Sequence, residues 1–238
     1  MEGTMADAAH RFPALTIADY DAFVAAQRDE REWELVAGEF VMMSNPTEDH
    51  EQIAGNIGAS LKLAMDAAGC RSYQGGMRVQ RSDDGRGRDK TRPDIVVRLG
   101  PRQNQTYVTD PLVVVEVLSP STMDHDCGGK LAFHKSLPTL RHLALVYQDQ
   151  MRVEHYQRTE EGWRLEVLIT PQDVLRFDAV DFEIDLDRIY FGVPVSRPLA
   201  RSGPDLRAAR ADAQTASAPD ATPGRPLGGM AAGVSGEG

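Results

Sequence analysis

Leu112-Val113-Val114-Val115-Glu116-Val117-Leu118 is the stretch that decides the fold. It is the most apolar run in the chain. Such a run without alternation marks a central strand covered on both faces. Glu116 interrupts it. An ionised carboxylate there costs roughly several kcal/mol unless it is paired, hydrogen-bonded or bound to a metal. Glu116 is therefore the first candidate for chemistry, and the rival explanation is an internal ion pair with an arginine.

Working outward, Pro93-Asp94-Ile95-Val96-Val97 lies upstream. Proline lacks an N–H and sits at a strand's first position or on an edge, so Asp94 stands near a strand's beginning. Antiparallel pairing of that strand with the Glu116 strand brings both carboxylates to one end of the sheet. Magnesium favours few carboxylates, several waters and a substrate phosphate. Asp94, Glu116 and a backbone carbonyl beside Glu116, that of Val117, meet that demand. Taken alone, Asp94 would read as a strand-end cap or turn residue.

Downstream, Ser119-Pro120-Ser121-Thr122 ends the strand, and a helix is expected over about Asp126 to Lys135. Lys130 lies 14 positions after Glu116, in that helix's first turn, from which its side chain can reach back to the carboxylates. An ammonium there can position a water or stabilise charge building on a phosphate. On spacing alone it is a surface lysine. Lys135 is on another helix face, whereas His134 shares the face of Lys130 at i+4. Glu34, between Trp33 and Leu35, reads as a solvent-facing strand residue, and His50 stands at a helix N-terminus.

The rest of the chain falls into place around this core. Thr16 to Gln27 forms a short helix capped by Thr16. Trp33 to Met43 forms a hairpin turning at Ala37-Gly38. Glu48 to Ala68 forms a helix with Ile53, Ile57, Leu61 and Met65 on one side, stopped by Gly69. Ser72 to Gln80 is expected as one strand interrupted at Gly75-Gly76, followed by a polar loop, Ser82 to Thr91. His142 to Tyr147, Arg152 to Gln157 and Trp163 to Ile169 read as three antiparallel strands. Helices flanking a mixed β-sheet make this an α/β (α+β) domain over 14–195. Residues 1–13 are expected to be loose. Residues 196–238, rich in Ala, Pro, Gly and Ser without apolar periodicity, are expected to be disordered.

Composition narrows the class. The chain has 238 residues, 41 % of them hydrophobic, with a net charge of −10. That acidity argues against a protein that coats nucleic acid by bulk electrostatics. Residues 71 to 102 nonetheless hold nine basic and four acidic side chains, which suggests either a solvated loop or a phosphate-facing surface. There is no apolar run of the length a membrane helix needs and no apolar segment in Met1 to Phe12. Together with two cysteines, Cys70 and Cys127, expected to be free thiols, this points to the cytoplasm.

The ordered motifs carry a resemblance. Trp33-Glu34-Leu35-Val36-Ala37-Gly38-Glu39, His50 before a helix, Arg92-Pro93-Asp94, Val115-Glu116-Val117-Leu118-Ser119-Pro120-Ser121-Thr122, Asp126 and Lys130, Leu140-Arg141-His142 and Val153-Glu154-His155-Tyr156 follow one another. This series resembles the Uma-type putative restriction endonuclease family of the PD-(D/E)XK superfamily, over about Leu15 to Val193. The resemblance implies a restriction-endonuclease-like core and hydrolysis of DNA phosphodiester bonds dependent on Mg²⁺, or Mn²⁺ in its place. It implies metal ligation by Asp94 and Glu116, with Glu34 as the family's early glutamate beside the metal. The superfamily lysine stands two residues after the second carboxylate; here that position is Leu118, and Lys130 matches a lysine migrated to the helix. A tyrosine commonly follows four residues later, where this chain has His134. DNA is the partner implied, and a homodimer would suit cutting of two strands. A non-catalytic nucleic-acid- or partner-binding module on the same fold is the competing expectation.

Overall fold

The computed structural model describes residues 14–119 and 126–195, so the expectations for residues 1–13 and 196–238 lie outside the described part. Thr16 opens the first helix with a reciprocal cap. Its hydroxyl accepts the Asp19 N–H at 3.3 Å while the Asp19 carboxylate accepts the Thr16 N–H at 2.8 Å. Helix α1 (Ile17–Ala26) then packs Ile17 and Tyr20 against Leu35. The hairpin is as expected, with β1 (Trp33–Val36) and β2 (Glu39–Met42) antiparallel. Ala37 and Gly38 both take positive φ, 51° and 81°, which matches the right-handed twist of the flanking strands.

Thr47 starts α2 (Glu48–Ala68) by accepting the His50 N–H, and Gly69 ends it in the left-handed conformation. Ile53, Ile57, Leu61 and Met65 are each 0 % exposed. At roughly 1.5–3 kcal/mol per side chain, their burial seats α2 on the large sheet.

That sheet contains β3 (Arg71–Gln74), β6 (Ile95–Arg98), β8 (Val113–Leu118), β9 (His142–Tyr147), β10 (Val153–Thr159) and β11 (Gly162–Leu168). Its order is β11-β10-β9-β8-β6-β3, with β8 parallel to β9 and every other pair antiparallel. The valine-rich strand is central, as its composition demanded. Val113, Val115 and Val117 face the core beneath α2. Val114 and Leu118 face a second core with Phe133, Leu137 and Leu140, beside the short helix α3 (Leu131–Ser136). Strict alternation puts Glu116 on this second face.

A smaller sheet, ordered β2-β1-β5-β4-β7, adds β4 (Arg78–Gln80), β5 (Lys90–Thr91) and β7 (Tyr107–Val108). After β11 the chain forms a separate ribbon of β12 (Val174–Phe177) and β13 (Phe182–Asp185), then the short helix α4 (Leu186–Ile189).

Three local expectations need correction. Ser72 to Gln80 is two strands in different sheets, because Gly75-Gly76 lets the chain turn from β3 into β4. The polar loop after it ends in a strand, β5, which pairs with both β1 and β4. The helix expected over Asp126 to Lys135 begins as a π-helical turn, Asp126–Lys130, and becomes α-helical only at Leu131.

Four of the nine basic residues in the segment 71 to 102 belong to the internal structure. Arg98 is buried against Asp110 with bonds of 2.9 and 2.8 Å, and Lys90 reaches Asp21 at 2.6 Å. Arg78 bonds the Tyr20 hydroxyl and Glu32, and Arg92 holds Glu32 and the Gly75 carbonyl. Arg71, Arg81, Arg86, Arg88 and Arg102 are exposed, with Arg81 bonded to Ser136. Cys70 is buried, and the side chain of Cys127 is outside the described part. Among the described residues no helix is long and apolar enough to cross a membrane.

Candidate active site

Antiparallel pairing of β6 with β8 sets Ile95 opposite Val115, so the next pair along, just beyond the end of β6, is Asp94 with Glu116. Both residues therefore stand at one end of the sheet, as the sequence implied. Asp94 replaces the missing strand: its Oδ2 accepts the Val117 N–H at 2.7 Å. Val117 also stands opposite Val146 in the parallel β8–β9 pairing. The other oxygen, Oδ1, lies 3.4 Å from His50 Nε2. His50 is carried there by the first turn of α2, which the Thr47 cap fixes.

Glu116 is 5 % exposed and lies under the helical segment that follows β8. Its Oε1 is 3.2 Å from Lys130 Nζ and 3.2 Å from His134 Nε2. The rival explanation, an ion pair with an arginine, gives way to a lysine and a histidine one helical turn apart. Lys130 is not a surface residue. It is 6 % exposed, and its Nζ also lies 3.2 Å from Glu34 Oε1. Lys135, by contrast, projects elsewhere and sits 3.7 Å from the centre of the Tyr156 ring.

Glu34 corrects the expectation of a solvent-facing residue, since it is 3 % exposed. Its Oε1 also accepts the Arg92 N–H at 2.6 Å. Residues 92 to 94 thus touch both Glu34 and the Glu116 strand. Lys130 joins a carboxylate of the small sheet to one of the large sheet.

Electrostatics separates the two glutamates. Burial alone would raise Glu116, but the Lys130 charge and the His134 bond outweigh it and hold the carboxyl at about 2. Glu34 is pushed up, chiefly by burial and then by the Glu116 charge, against the opposing pull of Lys130 and the Arg92 N–H. Burial would likewise lower His50, yet the bond to Asp94 and that carboxylate's charge more than reverse it, and the imidazole is raised. Carboxylates pushed in opposite directions within one cluster are the usual arrangement for dividing acid and base roles.

The site's parts were unequally visible in the sequence. Asp94, Glu116, Lys130 and Glu34 come together. His50 and His134 belong with them, and the signals were the Thr47 cap three residues before His50 and the i+4 spacing from Lys130. Both imidazoles keep a buried Nδ1 without a hydrogen-bond partner. Among the described residues, no group of three His, Cys, Asp or Glu side chains is arranged to hold a metal ion. The carboxylate oxygens suit a hard cation that keeps most of its waters.

A central valine-rich strand with an acidic pair at its end, flanked by helices on both faces, is a restriction-endonuclease-like fold. A solved neighbour bears this out: a crystal structure titled as a putative nuclease belonging to DUF820, from Anabaena variabilis, superposes with a TM-score of 0.61. It is 16 % identical and covers 74 % of this chain and 97 % of its own. The model of the family described as "Uma2: Putative restriction endonuclease" matches residues 17–187, and the chain belongs to that family. Two uncharacterized proteins of Synechocystis sp. are similar. One is 26 % identical over 184 residues, covering 76 % of this chain and 94 % of its own length. The other is 28 % identical over 171 residues, covering 68 % and 92 %.

Proposed function

We propose that this protein is a metal-dependent endonuclease that hydrolyses DNA phosphodiester bonds. The observation that carries this reading is the Lys130 ammonium, 3.2 Å from carboxylates of two different sheets, at the strand end where Asp94 meets Val117. A surface lysine would not be buried there, and a purely structural ion pair would not need a second and third carboxylate.

Asp94 and Glu116 would hold Mg²⁺, or Mn²⁺, with the Val117 carbonyl as a further oxygen donor. When bound, the ion would supply a water of lowered pKa and offset charge on the phosphate. The protein's own groups do the remainder. Glu116 stays ionised because Lys130 and His134 favour its charge. Glu34 holds the lysine head in place. Lys130 orients a water and stabilises negative charge building on the phosphoryl oxygens. His50 fixes the orientation of the Asp94 carboxylate.

A second reading, a metal-free binding module, draws on two observations: the absence of a three-ligand group among the described residues, and the net charge of −10. The test is incubation with supercoiled plasmid and with single-stranded DNA, in Mg²⁺, in Mn²⁺ and in chelator, for the parent and Glu116→Gln. Cleavage by the parent that needs the metal and disappears in Glu116→Gln is expected. A parent that cuts neither DNA and takes up neither ion by titration calorimetry overturns the proposal in favour of the module.

A further inference from the structure

Among the described residues, β11 is an outer strand of the large sheet. Its seven residues pair one to one with β10, from Val153↔Leu168 to Thr159↔Gly162, without a bulge. Edge strands are usually blunted by lysine, proline, a bulge or a covering element. Gly162-Trp163-Arg164-Leu165-Glu166-Val167-Leu168 has no lysine and no proline, and among the described residues no strand pairs with its outer side.

The Arg158 N–H donates to the Arg141 carbonyl at 2.8 Å, and the Tyr147 N–H donates to the Arg152 carbonyl at 3.0 Å. Even-numbered residues of β10 therefore bond to β9, and its odd-numbered residues bond to β11. Val153, His155 and Gln157 face Leu168, Glu166 and Arg164. The backbone groups of Trp163, Leu165 and Val167 consequently point outward, unpaired within the sheet. Their side chains share one face, where Leu165 is 49 % and Val167 41 % exposed. Arg164 and Glu166 occupy the other face.

We propose that two copies of this chain join edge to edge through β11, making a homodimer with one continuous sheet. A second copy is the occupant because the strand is complementary to itself about a two-fold axis through Leu165. When Leu165 lies opposite Leu165 of the second copy, Trp163 meets Val167 and the reverse, and these three outward-pointing pairs are the ones able to exchange N–H···O bonds. In the same register Arg164 stands opposite Glu166 of the second copy, twice. A shift that centres the axis on residue 164 or 166 brings like charges face to face, which is unfavourable. The apolar face then becomes a joint strip of Trp163, Leu165 and Val167 from both copies.

The mass of the full chain, measured by sedimentation velocity over a dilution series, tests this. The parent is expected at twice its 26.1 kDa chain mass. Arg164→Glu sets four carboxylates along the seam and should weaken the dimer by tenfold or more. The exchange Arg164→Glu with Glu166→Arg restores opposite charges and should restore the dimer. Far-UV circular dichroism confirms that each variant is folded. A parent that stays monomeric at every concentration overturns the proposal, and so does a folded Arg164→Glu variant that dimerises as tightly as the parent.

Discussion

Replacing Lys130 by methionine removes one positive charge from between two buried carboxylates while keeping the length of the side chain. Its Nζ lies 3.2 Å from an oxygen of Glu34 and 3.2 Å from one of Glu116, and all three residues are under 7 % exposed. Removing one member of a buried pair costs about 3–5 kcal/mol, because the other is left charged and dry. Linkage sets the pH dependence. The stability carried by ionised Glu116, whose folded carboxyl sits at about 2 against its ordinary 4.5, rests on the charges of Lys130 and His134. The depressed folded value means this stability is present above 4.5 and is lost as pH falls toward 2. Glu116 keeps His134 and Glu34 keeps the Arg92 N–H, so the lower end applies. Lys130→Met should lose about 3 kcal/mol in urea unfolding at pH 8. The deficit should shrink at pH 5, because carboxylates that burial pushes up without the lysine are then partly protonated. Lys135→Met, which gives up only its contact with the Tyr156 ring, should lose under about 1 kcal/mol. A loss below about 1 kcal/mol for Lys130→Met at pH 8, or one that grows as pH falls, would refute the reasoning.

Three further outcomes are expected. Asp94→Asn keeps an acceptor for the Val117 N–H, so its stability should fall by no more than about 1 kcal/mol while the heat of Mg²⁺ binding in titration calorimetry disappears; Asp94→Ala should cost about 1–3 kcal/mol because that N–H is orphaned, and metal binding by Asp94→Asn equal to the parent's would contradict the ligand assignment. His142 is buried 3.1 Å from His155, and burial, reinforced by that second imidazole, lowers it from 6.5 to about 4. Its neutral form therefore contributes stability above 6.5 that drains away as pH falls toward 4, and His142→Gln should flatten the melting temperature across that window; an unchanged slope counts against it. Gly38 sits at φ +81° with the position of an added Cβ only 2.6 Å from Ala14 Cβ, so Gly38→Ala should cost roughly 1–3 kcal/mol in chemical denaturation, and equal stability would show that the turn relaxes freely.

The elements that the sequence disclosed are those in which one period dominates. α2 announces itself through four apolar residues at i+4 spacing and a glycine stop, and β8 through an uninterrupted apolar run. β5 and β7 have two residues each, too few for any period to register. β12, β13 and α4 follow the last strand that patterning picked out, and their alternation is carried by few residues. The site divides in the same way. Glu116 was conspicuous because an acid in a valine run is costly. Glu34 was misplaced because alternation tells which residues share a face and not which face is covered; here Glu34 lies under Lys130 and the Arg92 backbone, which arrive from elsewhere in the chain. Lys130 looked like any exposed lysine, since its burial depends on a π-helical turn that spacing rules do not foresee.

The Lys130 clasp also bears on how the domain assembles. Its three charged partners, Glu34, Glu116 and Lys130, come from the small sheet, the large sheet and the segment beyond β8, so no hairpin or single layer contains the site. Long-range contacts of this kind form after the loops they close have been ordered. A chain that has collapsed around α2 and the valine strand alone would own a hydrophobic nucleus and most of its regular hydrogen bonds, yet would present its acids unmatched and its lysine to water. Such a half-built molecule lacks the Lys130 cluster, which exists only in the finished tertiary structure.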